Sequence, residues 1–299
     1  MSTSPTFHPP LSRLSDDQYR QFYQAGYLIQ PGYYSEKVIE RLHAACERLT
    51  QRGHRLQPPQ SSKRKIQVFD GCTKFVYRSG EATPLLALSH VVGCGSQEPE
   101  ILKHLRSPET VHTFAHLLQH EQLEHLLCQF HPKLPGSEIT FKPHRDIGHR
   151  IHYARRANGS WRDINGQGSY VVGIIAIDSM TPRNGGLCLI EGSHREDGVP
   201  ETLSAPPTDS MESLSKQSGF QALHLEPGDI AFLHPYLIHW SDVNPQTENK
   251  RYTLITGYSV FGANPNHNPS DYAGDSARIF LKMNDSGFTT HQRNPHTKK

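Results

Sequence analysis

The stretch Phe141-Lys142-Pro143-His144-Arg145-Asp146 (FKPHRD) decides how this chain is read. It sets an imidazole and a carboxylate two positions apart at the end of a strand-like segment. In extended backbone, side chains at i and i+2 leave from the same face, so His144 and Asp146 can converge on one ion while Arg145 turns away. Two ligands do not complete a site, and with twenty histidines in the chain, chance pairs have to be weighed. His194-Arg195-Glu196 follows Glu191-Gly192-Ser193 and reads as an exposed turn. His224-Leu225-Glu226 runs into Pro227-Gly228, where the glutamate begins a turn. Neither has a matching ligand downstream. His144 and Asp146 do: the run PGDIAFLHPYLIHWS (Pro227–Ser241) turns, extends and delivers His239. Two histidines and one carboxylate on one face bind non-haem Fe(II) with positions left open, and zinc fits the same donors.

Around this centre the segments are short, β-branched and aromatic. Strands are predicted at Cys128–His131, Ile139–His144, Tyr170–Asp178, Leu187–Ile190, Phe220–Leu225, Ile230–Leu233 and Tyr252–Val260, with turns at Pro135, Asn184-Gly185 and Pro227-Gly228. Helices come earlier. Ser15 and Gln18 form a capping box for a short helix ended by Gly26, Tyr27-Leu28-Ile29 reads as a strand, and a second helix from about Ser35 stops at Gly53. Ser107-Pro108 starts a third, expected to run to about Leu127. On it His112, His116 and His120 are read as a solvated stripe opposite Val111, Phe114, Leu117 and Leu118. Residues 1–13 read as a loose tail, Arg52–Lys65 as an exposed basic loop, and residues 70–100 are left open. The class is α+β, mainly β, with helices outside one β-core at about 128–260, in a single domain over 14–299.

The composition limits function. Thirty-one basic against 29 acidic residues give a net charge of +2, which offers no global field for nucleic acid or an anionic membrane. Five scattered cysteines without a CxxC pair suit a reducing cytoplasm better than a disulfide framework. The longest apolar run, Tyr170–Ile177, is too short for a bilayer span, so no membrane association is expected.

Five segments in order give a resemblance. LSDDQYRQFYQAGYLIQPGYYS, PKLPGSEITFKPHRD, NGGLCLIEGSHR, PGDIAFLHPYLIHWSDVNP and KRYTLITGYSV resemble, over roughly residues 14–260, the phytanoyl-CoA dioxygenase family of Fe(II)- and 2-oxoglutarate-dependent oxygenases. The resemblance implies a double-stranded β-helix, or jelly roll, with His144, Asp146 and His239 as iron ligands. It implies Arg251 as the bidentate partner of the distal carboxylate of 2-oxoglutarate. Ser241 then assists that carboxylate, and Gln129 is a polar cosubstrate contact. Dioxygen completes the reaction, with succinate and carbon dioxide released, and the intact Asp146 argues against halogenation. His234 is expected behind the ligands.

Between Arg145 and Arg162 lie five arginines with His149 and His152, and the only acid is Asp146. Here two readings stand. Arg150, His152, Arg155 and Arg156 receive an anionic small-molecule substrate, or the segment is a solvated loop or oligomer contact. Hydroxylation of a small molecule, or its oxidation by desaturation, ring closure or epoxidation, is the leading expectation for the whole chain, acting as a monomer or homodimer. A non-catalytic metal- and 2-oxoglutarate-binding jelly roll and a hydroxylase of a macromolecule are the alternatives.

Overall fold

A computed structural model of the protein describes residues 9–80, 85–156, 160–195, 207, 209–246, 248–263, 277–281 and 288–292, the last two segments, Tyr153, Arg155 and Arg156 by backbone alone. Ser15 caps α1 (Asp16–Ala25) through a complete capping box with Gln18, and Gly26 closes it in the left-handed region at φ 84. β1 (Tyr27–Gln30) leads into α2 (Glu36–Arg55), which buries Ile39, Leu42, Cys46 and Leu49. The helix does not stop at Gly53. Glycine is needed there for packing, because a Cβ would lie 2.6 Å from Leu88 Cδ2.

The stretch left open by the sequence belongs to a meander of β2 (Lys65–Asp70), β3 (Thr73–Ser79) and β4 (Leu86–Val92), followed by α3 (Pro99–Leu105). Ser107 and Pro108 start α4 (Pro108–Leu118) as expected, but Gln119 at φ 51 ends it nine residues before Cys128. β5 (Gln122–Lys133) takes the rest. It is paired on both sides and buried on both faces, but its apolar residues Leu123, Leu126 and Leu127 fall at the i, i+3, i+4 spacing of a helix, which periodicity cannot tell from strand.

The histidine stripe on α4 is also corrected: His112 and His116 are each only 1 % exposed. The end of the expected tail covers them. Leu11 N–H donates to His112 Nδ1 at 3.1 Å, Ser12 Oγ lies 3.0 Å from His116 Nδ1, and Tyr19 stacks on the His116 ring.

The remaining elements are β6 (Phe141–His144), α5 (Asp146–Arg156), β7 (Tyr170–Ala176), β8 (Leu187–Ile190), α6 (Met211–Leu214), β9 (Phe220–Ala222), β10 (Ile230–Leu233), β11 (His239–Ser241), β12 (Arg251–Val260), β13 (Ala277–Leu281) and β14 (Phe288–Gln292). They form two antiparallel sheets. The larger runs β1-β10-β7-β12-β5-β4-β3-β2, with β13 joined to β5 and β14 to β13; the smaller runs β6-β11-β8-β9. This is the expected mainly β jelly roll with helices outside.

Strand alternation builds the layers. On β7, Val171 and Ile175 point to a core shared with Leu42 of α2 and Phe114 of α4, while Val172 and Ile174 meet Leu187 and Leu189 of β8. The larger sheet is therefore covered by helices on one face and by the smaller sheet on the other. Between the sheets a cavity of about 310 Å³ opens, lined from β2, β3 and β4 through to β11 and β12. Among the described residues no helix is long and apolar enough to cross a membrane.

Candidate metal centre

β6 and β11 pair antiparallel with His144 directly opposite His239, which brings two imidazoles from distant sequence onto one face of the smaller sheet. Asp146 arrives differently from the simple i, i+2 expectation. β6 ends at His144, and Asp146 is the first residue of α5, where the helix N-terminus favours a carboxylate. Arg145 does turn away from the centre, but it is not part of a basic loop facing substrate. It is buried, and its guanidinium donates to Tyr236 O at 2.8 Å and Ser193 O at 3.2 Å.

Asp146 Oδ1 lies 3.6 Å from His144 Nε2, and Oδ2 lies 3.8 Å from His239 Nε2. One ligand atom from each of the three residues falls within 4.8 Å of the other two. Each imidazole sits with Nδ1 against the carbonyl two residues before it, His144 on Lys142 O at 2.7 Å and His239 on Leu237 O at 3.1 Å. An Nδ1–H donated there leaves the Nε2 lone pair aimed inward, the tautomer a metal ligand needs. Burial pushes His239 down to about 4, aided by the neighbouring His144. Burial also opposes ionisation of Asp146, yet the facing His239 and His144 hold its carboxyl well below the usual range. The centre is thus set as an anionic carboxylate beside a neutral donor.

Behind the three residues lies a second arrangement, only half of it foreseen. Arg251 of β12 is 4 % exposed and donates to Thr253 Oγ1 and, at 2.9 Å, to Gly185 O. Burial lowers it to about 10. Directly across the strand pair stands Lys133 of β5, 1 % exposed, donating to Asp242 O and pushed down to about 6 by burial and then by Arg251. Above about pH 6 the Lys133 amine therefore stands neutral beside the charged Arg251, and an anion joining the two would restore its proton. Arg251 Nε, buried without a hydrogen-bond partner among the described residues, leaves a donor for that anion. Lys133 escaped the sequence reading because nothing in PKLPG marks a lysine as buried; its signal is the register that sets it opposite Arg251.

Ser241 and Gln129 both line the cavity, and Gln129 Oε1 is bonded to His131 Nε2 at 2.9 Å. His234 is not behind the ligands. It is buried against Phe22, Tyr23 and His194, with Nε2 3.2 Å from Gln167 Oε1. His194, expected in an exposed turn, is 6 % exposed and bonds Tyr23 O.

The expected basic loop begins as α5, because Ile147 and Ala154 bury one face of Asp146–Arg156. The helix sorts its residues. Arg150 reaches the cavity, its guanidinium 5.2 Å from the Tyr170 ring centre, and His149 reaches it too, its ring 5.3 Å from that of His144. His152 is exposed and does not line it. The side chains of Arg155 and Arg156 lie outside the described residues.

A jelly roll whose facing sheets gather two imidazoles and a carboxylate beside a buried arginine is the architecture of a non-haem iron, 2-oxoglutarate-dependent oxygenase. The chain belongs to the phytanoyl-CoA dioxygenase (PhyH) family, whose model matches residues 22–251. Its cofactor and cosubstrates are accordingly Fe(II), 2-oxoglutarate and dioxygen. The donor set fits them, through inward-facing Nε2 atoms, an ionised carboxylate and an open guanidinium donor.

Solved structures share the fold at low identity. EctD from S. alaskensis with bound Fe is 17 % identical with a TM-score of 0.63, over 86 % of this chain and 82 % of that one. AviO1 from Streptomyces viridochromogenes Tue57 is 18 % identical with a TM-score of 0.60, over 87 % and 98 %. The non-haem α-ketoglutarate-dependent carbocyclase SnoK from nogalamycin biosynthesis is 16 % identical with a TM-score of 0.59, over 92 % and 89 %. No curated protein sequence matches the chain.

Proposed function

We propose that His144, Asp146 and His239 ligate Fe(II), that Arg251 and Lys133 together hold the distal carboxylate of 2-oxoglutarate, and that the enzyme hydroxylates a small anionic molecule. The observation that carries the reading is the convergence of three ligand atoms within 4.8 Å in a cavity that also receives Arg251. When bound, Fe(II) with 2-oxoglutarate and dioxygen supplies the oxidising power that turns a substrate C–H into C–OH, with succinate and carbon dioxide released.

The chain's own part is positioning. The Nδ1 bonds of His144 and His239 to backbone carbonyls fix both rings, and Asp146 at the start of α5 adds the negative charge. Arg251 offers a planar fork for a carboxylate, with its cross-strand neighbour Lys133 adding charge. Ser241 and Gln129 add hydroxyl and amide contacts on the cavity wall. The cavity volume of about 310 Å³ supports a small-molecule substrate. The cationic Arg150 on the wall supports an anionic one. Five free thiols agree with a reducing compartment such as the cytoplasm.

The test is a screen of small anionic and neutral molecules with Fe(II), 2-oxoglutarate and labelled dioxygen. A substrate should release one succinate per product and gain one labelled oxygen. Succinate release that survives Asp146→Ala unchanged would overturn the reading.

A further inference from the structure

Beyond Arg251 and Arg150, the cavity receives two more cations, Lys65 of β2 and Arg78 of β3. Among the described residues that line it, Asp146 is the lone acid, and the metal consumes that charge. Lys65 and Arg78 are direct partners in the β2–β3 ladder, so their side chains leave the same face. On β3, Phe75 and Tyr77 point into the helix-side core, which turns the alternate residue Arg78 to the cavity. Arg78 is half-buried, its guanidinium 5.8 Å from the Phe141 ring centre, and it donates to Thr140 O at 3.2 Å, a contact that anchors one nitrogen of the fork. Neither cation forms an ion pair among the described residues. His90 lies beside them, lowered to about 3 by burial and then by Lys65 and Arg78, so it stands as a neutral imidazole able to donate. Lys65 is exposed and Arg78 half-buried, so an anion set between these two facing like charges would relieve their repulsion.

We propose that the Lys65–Arg78 pair is the receptor for an oxyanion on the substrate, a carboxylate or a phosphate, and that it fixes which substrate carbon faces the metal centre. The inference rests on the oxygenase reading of that centre. It moves anion recognition from the α5 segment to the β2–β3 hairpin. Arg150, packed against Tyr170, is then a wall of the cavity.

The experiment is anaerobic calorimetric titration of the protein loaded with Fe(II) and 2-oxoglutarate, using hexanoate, hexyl phosphate and neutral hexan-1-ol as probes. One of the anions should bind at least about tenfold tighter than the alcohol and weaken with salt, and the tighter one names the group. Lys65→Met/Arg78→Met should weaken that anion by about tenfold or more while leaving hexanol affinity and the visible iron–2-oxoglutarate band unchanged. Arg78→Lys should retain part of the preference. Anion affinity unchanged in the double variant, or hexanol bound as tightly as the anions by the wild type, overturns the receptor alone. A wild type that forms no visible band overturns the reading of the centre and the receptor with it.

Discussion

Replacing Lys133 by methionine should move stability and cosubstrate affinity in opposite directions. Lys133 is 1 % exposed, and its amine is pushed from 10.5 to about 6 by burial and by the facing Arg251. A lysine depressed in the fold binds fewer protons there than in the unfolded chain. The wild type is therefore destabilised, fully so below about pH 6 and not at all above about pH 10.5. The shift sets an upper bound of about 5 kcal/mol near neutral pH, and exchanges of buried charges for apolar groups return about 1–4 kcal/mol. Lys133→Met should gain that much in chemical denaturation near neutral pH, and the gain should shrink as pH rises. In the same variant 2-oxoglutarate loses one charge-assisted bond, worth about 1.5–3 kcal/mol, so its Kd by calorimetry should rise about 10- to 100-fold. A variant that is less stable than wild type, with unchanged 2-oxoglutarate affinity, would refute the two-cation receptor.

Three further expectations follow from single contacts. Arg251→Lys keeps the charge but loses the fork, so 2-oxoglutarate affinity should fall about tenfold with Fe(II) affinity unchanged; equal affinities for 2-oxoglutarate would contradict the bidentate role. Gly53→Ala forces a Cβ against Leu88, and overpacking of about 1–3 kcal/mol should outweigh the helix-propensity gain of about 1 kcal/mol, lowering the Tm; a raised Tm would show that Leu88 yields freely. His234, 1 % exposed, is held at about 3 by burial and then by His194, so its neutral form stabilises the fold above the ordinary value of 6.5 and that stability drains as pH falls. Between about pH 6.5 and about pH 5 the loss should be about 2 kcal/mol larger in wild type than in His234→Gln, and identical pH slopes would contradict it.

The centre was legible because its chemistry needs particular letters at particular strand ends. His144, Asp146 and His239 stand out against turn and strand signals, Arg251 entered through the family resemblance, and the predicted strands Leu187–Ile190 and Ile230–Leu233 match the observed ones residue for residue. What stayed hidden depends on tertiary neighbours. β5 and a helix share the same apolar pattern over residues 122–127, and only pairing with β12 and β13 decides. His112 and His116 look like a polar face until residues 11 and 12 are laid over them. The helix that begins at Asp146 is masked by its own charges, which separate Arg150 at the cavity from His152 at the surface. Lys133 and Arg78 acquire meaning only through register, one facing Arg251 and the other facing Lys65.

The most direct measurement is the visible spectrum of the anaerobic protein as Fe(II) and then 2-oxoglutarate are added. The wild type should develop the weak charge-transfer band of a bidentate keto-acid chelate. Asp146→Ala and His239→Ala should abolish it, and Arg251→Lys should shift its appearance to higher 2-oxoglutarate. A wild type without the band, or alanine variants that keep it, would contradict the assignment of His144, Asp146 and His239 as the iron site.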